Sequence, residues 1–362
     1  MRINSITVQN FRNYENLELS FDNSRNIIIG ENAQGKTNLI EAIYLCAFAK
    51  SFRTNNSAEL VRFEQDLARV NADITSEDID KNINIAINKQ GKKMISKDSK
   101  LIRRTTDLLN NLVVVIFSPE DLRIIKDSPE KRRAFINREI SQLRPKYYDH
   151  LKKYNDALKQ KNVLLKQSIN NPKFDDTVLD IYDEQLAIHG IEIIKYRREF
   201  IDKLSATANK IQSSISAGKE NLSISIEETL SANTKNDLLN CVKHERDHDL
   251  YYGSAASGPH RDDLVFAING KDARKFGSQG QQRTIALSLK LAEIEIAREI
   301  LGENPILLLD DVLSELDLER QNYLINEIKD VQLFITTTEL NENISDNMKE
   351  ASIYRIKAGN II

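Results

Sequence analysis

The chain has 362 residues, 40% of them hydrophobic and 29% charged, with a formal net charge of −3. This length exceeds one comfortable core, so one large domain with an elaboration, or two lobes, is expected. The near balance of charge excludes a globally basic nucleic-acid binder and leaves only a local patch for such a partner, while 2 cysteines exclude a disulfide framework and suit a reducing compartment. No run approaches the roughly 20 apolar residues of a bilayer span, and Met1–Phe21 lacks the apolar core of a signal peptide, so a cytoplasmic, unprocessed protein is expected.

At the N-terminus Ile3, Ile6 and Val8 alternate with polar residues, as do Leu17, Leu19 and Phe21, which predicts a β-hairpin with Arg12 and Asn13 in its turn. Asn26–Ile29 then reads as a buried strand and Asn38–Phe48 as a helix. Between them stands Gly30-Glu31-Asn32-Ala33-Gln34-Gly35-Lys36-Thr37, which fits the phosphate-loop pattern G-x-x-x-x-G-K-[ST] at each specified position. Strand, glycine loop, helix is the order the chemistry needs. Gly30 and Gly35 let successive N–H groups face one anion, and the helix N-terminus adds positive potential behind it. Lys36 would reach the β and γ phosphates, and the Thr37 hydroxyl would ligate Mg²⁺.

Lys50-Ser51-Phe52-Arg53-Thr54 is a basic, aromatic turn, followed by strands at Ala68–Ile74 and Ile83–Ile87, a hairpin turn at Lys89–Lys93 and a buried strand at Leu112–Phe117. From Ser128 to about His248 apolar residues recur at helical spacing, as with Tyr147, Leu151, Tyr154 and Leu158, which predicts amphipathic helices with the tyrosines in their core. Arg132, Arg133 and Arg138 lie on the first of these helices, which Pro129 opens. Strand texture returns at Leu222–Ile226 and Leu264–Ile268.

Gly277-Ser278-Gln279-Gly280-Gln281-Gln282 precedes an apolar helical stretch, Thr284–Ile300, and reads either as a second anion-binding turn or as a flexible hairpin. The continuous apolar run Ile306–Leu309 predicts a strand buried on both faces, ending in Asp310 and Asp311. Placed beside the loop strand, it would bring Asp310 to the Thr37-bound Mg²⁺ and leave Asp311 to orient the attacking water. Asp317 is expected to cap the helix at Leu318–Ile328.

Taken together, Gly30–Thr37, Gly277–Gln282 and Leu307–Asp311 resemble the head domain of ABC-type ATPases, in the subgroup built into SMC and double-strand-break-repair proteins. The strings Gln9–Tyr14, Lys50–Thr54, Phe117–Leu122 and Ser257–Asp263 resemble those of the RecF family of bacterial DNA replication and repair proteins. The resemblance implies an α/β fold: a P-loop ABC-ATPase head, with mixed sheet and antiparallel β layer, from residues 1–127 and 251–362, plus a helical second lobe at 128–250. It implies ATP and Mg²⁺ as ligands and an ATP-dependent homodimer, in which Ser278, Gly280 and Gln281 of one subunit contact the nucleotide held by Lys36 of the other. Double-stranded or gapped DNA, and RecR with RecO in the loading of RecA, are the implied partners. By the same resemblance Arg12 and Asn13 border the nucleotide, and Lys50, Arg53, Arg132, Arg133 and Arg138 face DNA.

The chain departs from the wider ABC pattern at several places. Gln279 replaces the first glycine of the usual signature, Ser118 lies where a Q-loop glutamine would sit, and Thr336-Thr337-Thr338 occupies the place of a switch histidine. Asp311 is one methylene shorter than the usual glutamate, which points to slow hydrolysis. A nucleotide-sensing adaptor without significant hydrolysis and an ATPase subunit of a transporter are the alternatives; in transporter subunits the signature lies much closer to the phosphate loop.

Overall fold

The computed structural model describes all residues except 170, 172, 173, 329 and 340–349. The chain divides into two compact units, one of Met1–Arg123, Ser214–Gly218 and Gln279–Ile362, the other of Ile124–Ser213 and Lys219–Ser278.

In the first unit β1 (Arg2–Phe11) and β2 (Tyr14–Ser20) form the predicted hairpin, and β3 (Arg25–Ile29) runs through the glycine loop into α1 (Lys36–Phe48). The strands β4 (Leu67–Ser76), β5 (Ile79–Asn88), β6 (Lys93–Lys97) and β7 (Lys100–Ile102) extend the hairpin into an antiparallel sheet of order β2-β1-β4-β5-β6-β7. Period-two alternation makes this sheet one-sided: Ile83, Ile85 and Ile87 are fully buried, whereas their neighbours are only partly so. After β7 the chain enters β8 (Val114–Phe117), buried along its whole length.

The second unit opens with α2 (Pro129–Leu143), α3 (Pro145–Ser168) and α4 (Asp180–Ile215). Each of the first two starts on a proline, whose missing N–H has no helical acceptor to lose there. Tyr147, Tyr154, Leu186 and Phe200 are buried, as the helical spacing predicts. Beyond them come β9 (Leu222–Glu227), α5 (Lys235–His244), α6 (Arg246–Tyr252), β10 (Asp263–Ile268), β11 (Lys271–Asp272) and α7 (Ala273–Phe276). A buried triad ties three of these helices: Lys161 Nζ lies 3.0 Å from Asp183 and 2.8 Å from Asp249.

The boundary at 250 is corrected here. The strand β10 pairs antiparallel with β9 from Asp263↔Glu227 to Ile268↔Leu222, so the unit runs to Ser278 and contains a three-stranded sheet besides its helices. Alternation reveals that 264–268 is a strand, but not which strand it joins.

The chain re-enters the first unit with α8 (Gln279–Leu301), β12 (Ile306–Asp310), α9 (Leu318–Glu327), β13 (Leu333–Thr337), β14 (Ser352–Lys357) and β15 (Asn360–Ile361). Asp317 caps α9 as expected, its side chain accepting from the Arg320 amide. A second sheet of order β15-β14-β3-β13-β12-β8 is parallel except for its β15 edge. The Asp310 strand is therefore not beside the loop strand: β13 stands between them. The helix α1 packs against β1, β4 and β5 of the antiparallel sheet and against β8, β12 and β13 of the parallel one. A helix enclosed on both sides is apolar all round rather than along one stripe, which explains the unbroken burial from Leu39 to Phe48.

Candidate nucleotide-binding site

The loop is shaped by what surrounds it. A Cβ at Gly30 would stand 2.5 Å from the Ile356 carbonyl oxygen, and one at Gly35, where φ is +121°, would meet the Asn13 amide at 2.8 Å. Only glycine fits at either place. From the β1–β2 turn, Asn13 Nδ2 donates to the Gln34 carbonyl at 2.8 Å and Tyr14 Oη to the Gly35 carbonyl at 2.9 Å. From the β14–β15 turn, the Gly359 amide donates to the same Gln34 carbonyl at 3.0 Å. Two turns far apart in sequence thus hold the loop's carbonyls outward, and α1 begins immediately behind it.

Four of the predicted side chains converge at the head of α1. Lys36 Nζ donates to the carbonyls of Gly30 at 2.8 Å and Glu31 at 3.2 Å, and lies 4.0 Å from Asp311 Oδ2. Thr37 Oγ1 donates to Asp310 Oδ1 at 3.0 Å. Intervening β13 adds a partner that the sequence pattern assigns only by place: Thr336 Oγ1 donates to the same Asp310 oxygen at 2.8 Å and accepts from the Asp311 amide at 2.9 Å. Burial pushes the Asp310 carboxyl above its usual range, the two hydroxyl bonds opposing that shift. A buried carboxylate beside a threonine hydroxyl is a hard-oxygen pair of the kind that takes Mg²⁺. Asp311 holds the left-handed backbone, φ +51°, at the end of β12.

Arg12 and Arg53 turn toward a residue that no motif in the sequence singles out. Glu41, wholly buried within α1, accepts from Arg12 Nε at 2.8 Å and Nη2 at 2.7 Å and from the Ser51 hydroxyl, with Arg53 at 3.8 Å. Arg53 also donates to Asn38 Oδ1 at 2.9 Å, and Asn38 in turn to Asn13. A lone carboxylate among Leu39, Ile40, Ala42 and Ile43 was the available signal for this hub. Asn13 touches the loop directly, whereas Arg12 is committed to the flank of its helix; Lys50 stays exposed. The signature turn is continuous with α8, which starts at Gln279 rather than Thr284, with Ser278 exposed just ahead of it. Gly280 accepts from Thr284 Oγ1 at 2.9 Å and Arg320 Nη2 at 3.2 Å. Gln281 is half-buried in the first turn of α8, and Ser118 bonds Asp121 through both its amide and its hydroxyl.

Of the α2 arginines expected to face DNA, Arg132 and Arg138 are corrected. Arg132 is 2% exposed and grips Asp263 with Nε at 2.7 Å and Nη2 at 2.6 Å. Arg138 bonds Glu139 at 2.5 Å, and Arg133 donates to the Asp262 carbonyl at 3.0 Å. Arg132 and Arg138 are thus turned into the second unit, while Arg132 and Arg133 both bond the Ser257–Asp263 string. Within that string His260 bonds the Tyr154 hydroxyl at 2.8 Å and the Ala255 carbonyl at 3.2 Å, and burial lowers its pKa from 6.5 to about 4. An unfolded chain takes up that proton near pH 6.5, whereas the folded one refuses it until about pH 4. Stability should therefore fall by up to about 3 kcal/mol as pH drops through this window. Urea midpoints measured against pH should show this slope in the wild type and a flatter one in His260→Gln.

The fold and the loop define a class, the P-loop ATPase head of SMC type. The family model "RecF/RecN/SMC N terminal domain" matches residues 2–360. RecF of Clostridium perfringens, a DNA replication and repair protein, is 43% identical over 100% of this chain and 99% of its own length, and RecF of Clostridium kluyveri is 42% identical over the same shares. A solved structure of the recombination mediator protein RecF with ATP, in the RecFOR pathway, aligns with a TM-score of 0.90 at 37% identity, over 99% of this chain and 96% of that one. An Smc head from Pyrococcus furiosus, at 14% identity and a TM-score of 0.57 over 99% of this chain and 95% of its own, shares the fold alone. The chain belongs to the RecF family of DNA replication and repair proteins. Among the described residues no helix is long and apolar enough to cross a membrane.

Proposed function

We propose that this protein binds ATP and Mg²⁺ at the loop, dimerises through the bound nucleotide, and holds DNA at gaps or junctions in recombinational repair. The observation that carries the reading is the meeting of Thr37 and Asp310 at 3.0 Å, with Lys36 over the loop mouth. Thr37 and Asp310 would hold Mg²⁺, which when bound neutralises phosphate charge. Lys36 would exchange its bonds to Gly30 and Glu31 for phosphate oxygens, and the loop amides would cradle the rest of the triphosphate. Asp311 would orient water for a slow hydrolysis. Ser278, Gly280 and Gln281 would meet the partner copy's nucleotide, so that ATP forms part of the interface and its loss separates the copies. The family name and the ATP-bound relative support this reading, as does the exposure of Ser278. Cooperation with RecO and RecR in loading RecA completes the proposal.

DNA contact needs a basic surface, and with Arg132 and Arg138 turned inward the best supported one is the β6–β7 edge. Between Lys89 and Arg104 every ionised residue except Asp98 is basic, and Lys92, Lys100 and Arg103 are exposed. Such an edge tracks phosphates without reading bases. Replacing Lys92, Lys100 and Arg103 with Gln should flatten the salt dependence of duplex binding by roughly 0.9 for each phosphate left without its cation, equally across sequences. Binding to gapped, duplex and single-stranded DNA, with and without ATP, tests the function itself; indifference to ATP on all of them contradicts it.

A further inference from the structure

The Ser257–Asp263 string belongs to the second unit, where it helps to build a cavity. A cavity of about 250 Å³, open to solvent, is lined by Arg133 and Asn137 of α2, Tyr154 and Asn155 of α3, Arg197 of α4, and His260. Its donors outnumber its acceptors. Arg197 is engaged, by the Pro259 carbonyl at 2.5 Å, by Asn137 Oδ1 at 2.9 Å, and by Asp262 at 3.7 Å. Arg133 is not: besides its bond to the Asp262 carbonyl, no carboxylate lies within ion-pair distance of it among the described residues. The amide nitrogens of Asn137 and Asn155 make no hydrogen bond among the described residues, since Asn137 uses only its oxygen, toward Arg197 and Tyr147. His260 is neutral and accepts the Tyr154 proton at Nδ1, because its Nε2 faces the Ala255 carbonyl.

We infer that this cavity is a phosphate site, taking free phosphate or a phosphate monoester on the Arg133 fork and the two amides. A carboxylate would be satisfied by the guanidinium fork alone, whereas the further donors on α2 and α3 match the extra oxygens of a tetrahedral anion. The volume leaves room for an ester substituent. Burial lowers the Arg133 pKa, with Arg197 and Arg261 adding to that shift and Asp263 and Glu130 opposing it, so a bound anion would help to hold the charge that burial disfavours. Glu130 also lines the cavity, and its carboxylate opposes an anion bound there. It does not rest on the ATP reading, since every lining residue belongs to the second unit.

The test is calorimetric titration of inorganic phosphate into the full chain carrying Lys36→Met, so that the phosphate loop does not compete. Arg133→Gln should weaken binding by about tenfold or more, and Glu130→Gln should tighten it, with thermal melts without phosphate confirming that both variants are folded. Titration of duplexes with phosphate or hydroxyl ends separates the sources: a preference for phosphate ends that Arg133→Gln removes assigns a nucleic-acid end, and equal binding of both ends assigns free phosphate. Phosphate heats no larger than those of a chloride control at equal ionic strength, or unchanged by Arg133→Gln, overturn the inference.

Discussion

Lys36→Met is expected to abolish ATP binding, and with it ATP-promoted dimerisation, while leaving the fold intact. The ammonium is placed over the loop and is held there by the carbonyls of Gly30 and Glu31. Methionine keeps the length of the side chain and removes its charge. A charge-assisted bond to phosphate, desolvated on binding, is worth about 1.5–3 kcal/mol, and Lys36 would make more than one. Affinity should fall by at least about a hundredfold, readable with a fluorescent ATP analogue. Preserved affinity would place the nucleotide elsewhere.

Arg132→Ala is expected to have the largest effect on stability, about 3 kcal/mol, and that loss should appear in the absence of DNA. Arg132 is buried and fork-bonded to Asp263, so its removal strands a carboxylate at the start of β10. Breaking a buried pair from one side costs far more than the pair itself is worth. Arg132→Ala with Asp263→Ala should recover part of the loss in a double-mutant cycle. A variant as stable as wild type but deficient in DNA binding would restore the surface reading of this arginine.

These two residues also mark how far the sequence reveals the site. Lys36 was legible because everything that gives it meaning is local: two glycines, a strand before and a helix after. Asp310 was legible for a similar reason, as the end of an apolar run with no polar face. Its strand's neighbour was not, because lateral order in a parallel sheet is set by crossovers, and so the insertion of β13 and the bond from Thr336 came only with the structure. Arg132 misled because a charge on an amphipathic helix looks solvated until its partner is known, and Asp263 lies 131 residues away. Glu41 escaped notice for the same reason: its counter-charge, Arg12, sits in a hairpin turn that looks like open surface when read alone. The basic β6–β7 edge was visible only as a hairpin turn, and its value as a phosphate-tracking strip follows from its place at a sheet edge.

The central claim is that one nucleotide is shared by two copies of the chain, held by Lys36 of one and touched by the Ser278 turn of the other. Molar mass by light scattering, with Mg²⁺ and a slowly hydrolysed ATP analogue, tests it most directly. Wild type should shift from monomer to dimer on addition of nucleotide, and Ser278→Arg should bind the nucleotide with wild-type affinity yet remain a monomer. A wild-type mass unmoved by nucleotide, or a Ser278→Arg variant that dimerises as wild type does, contradicts the account.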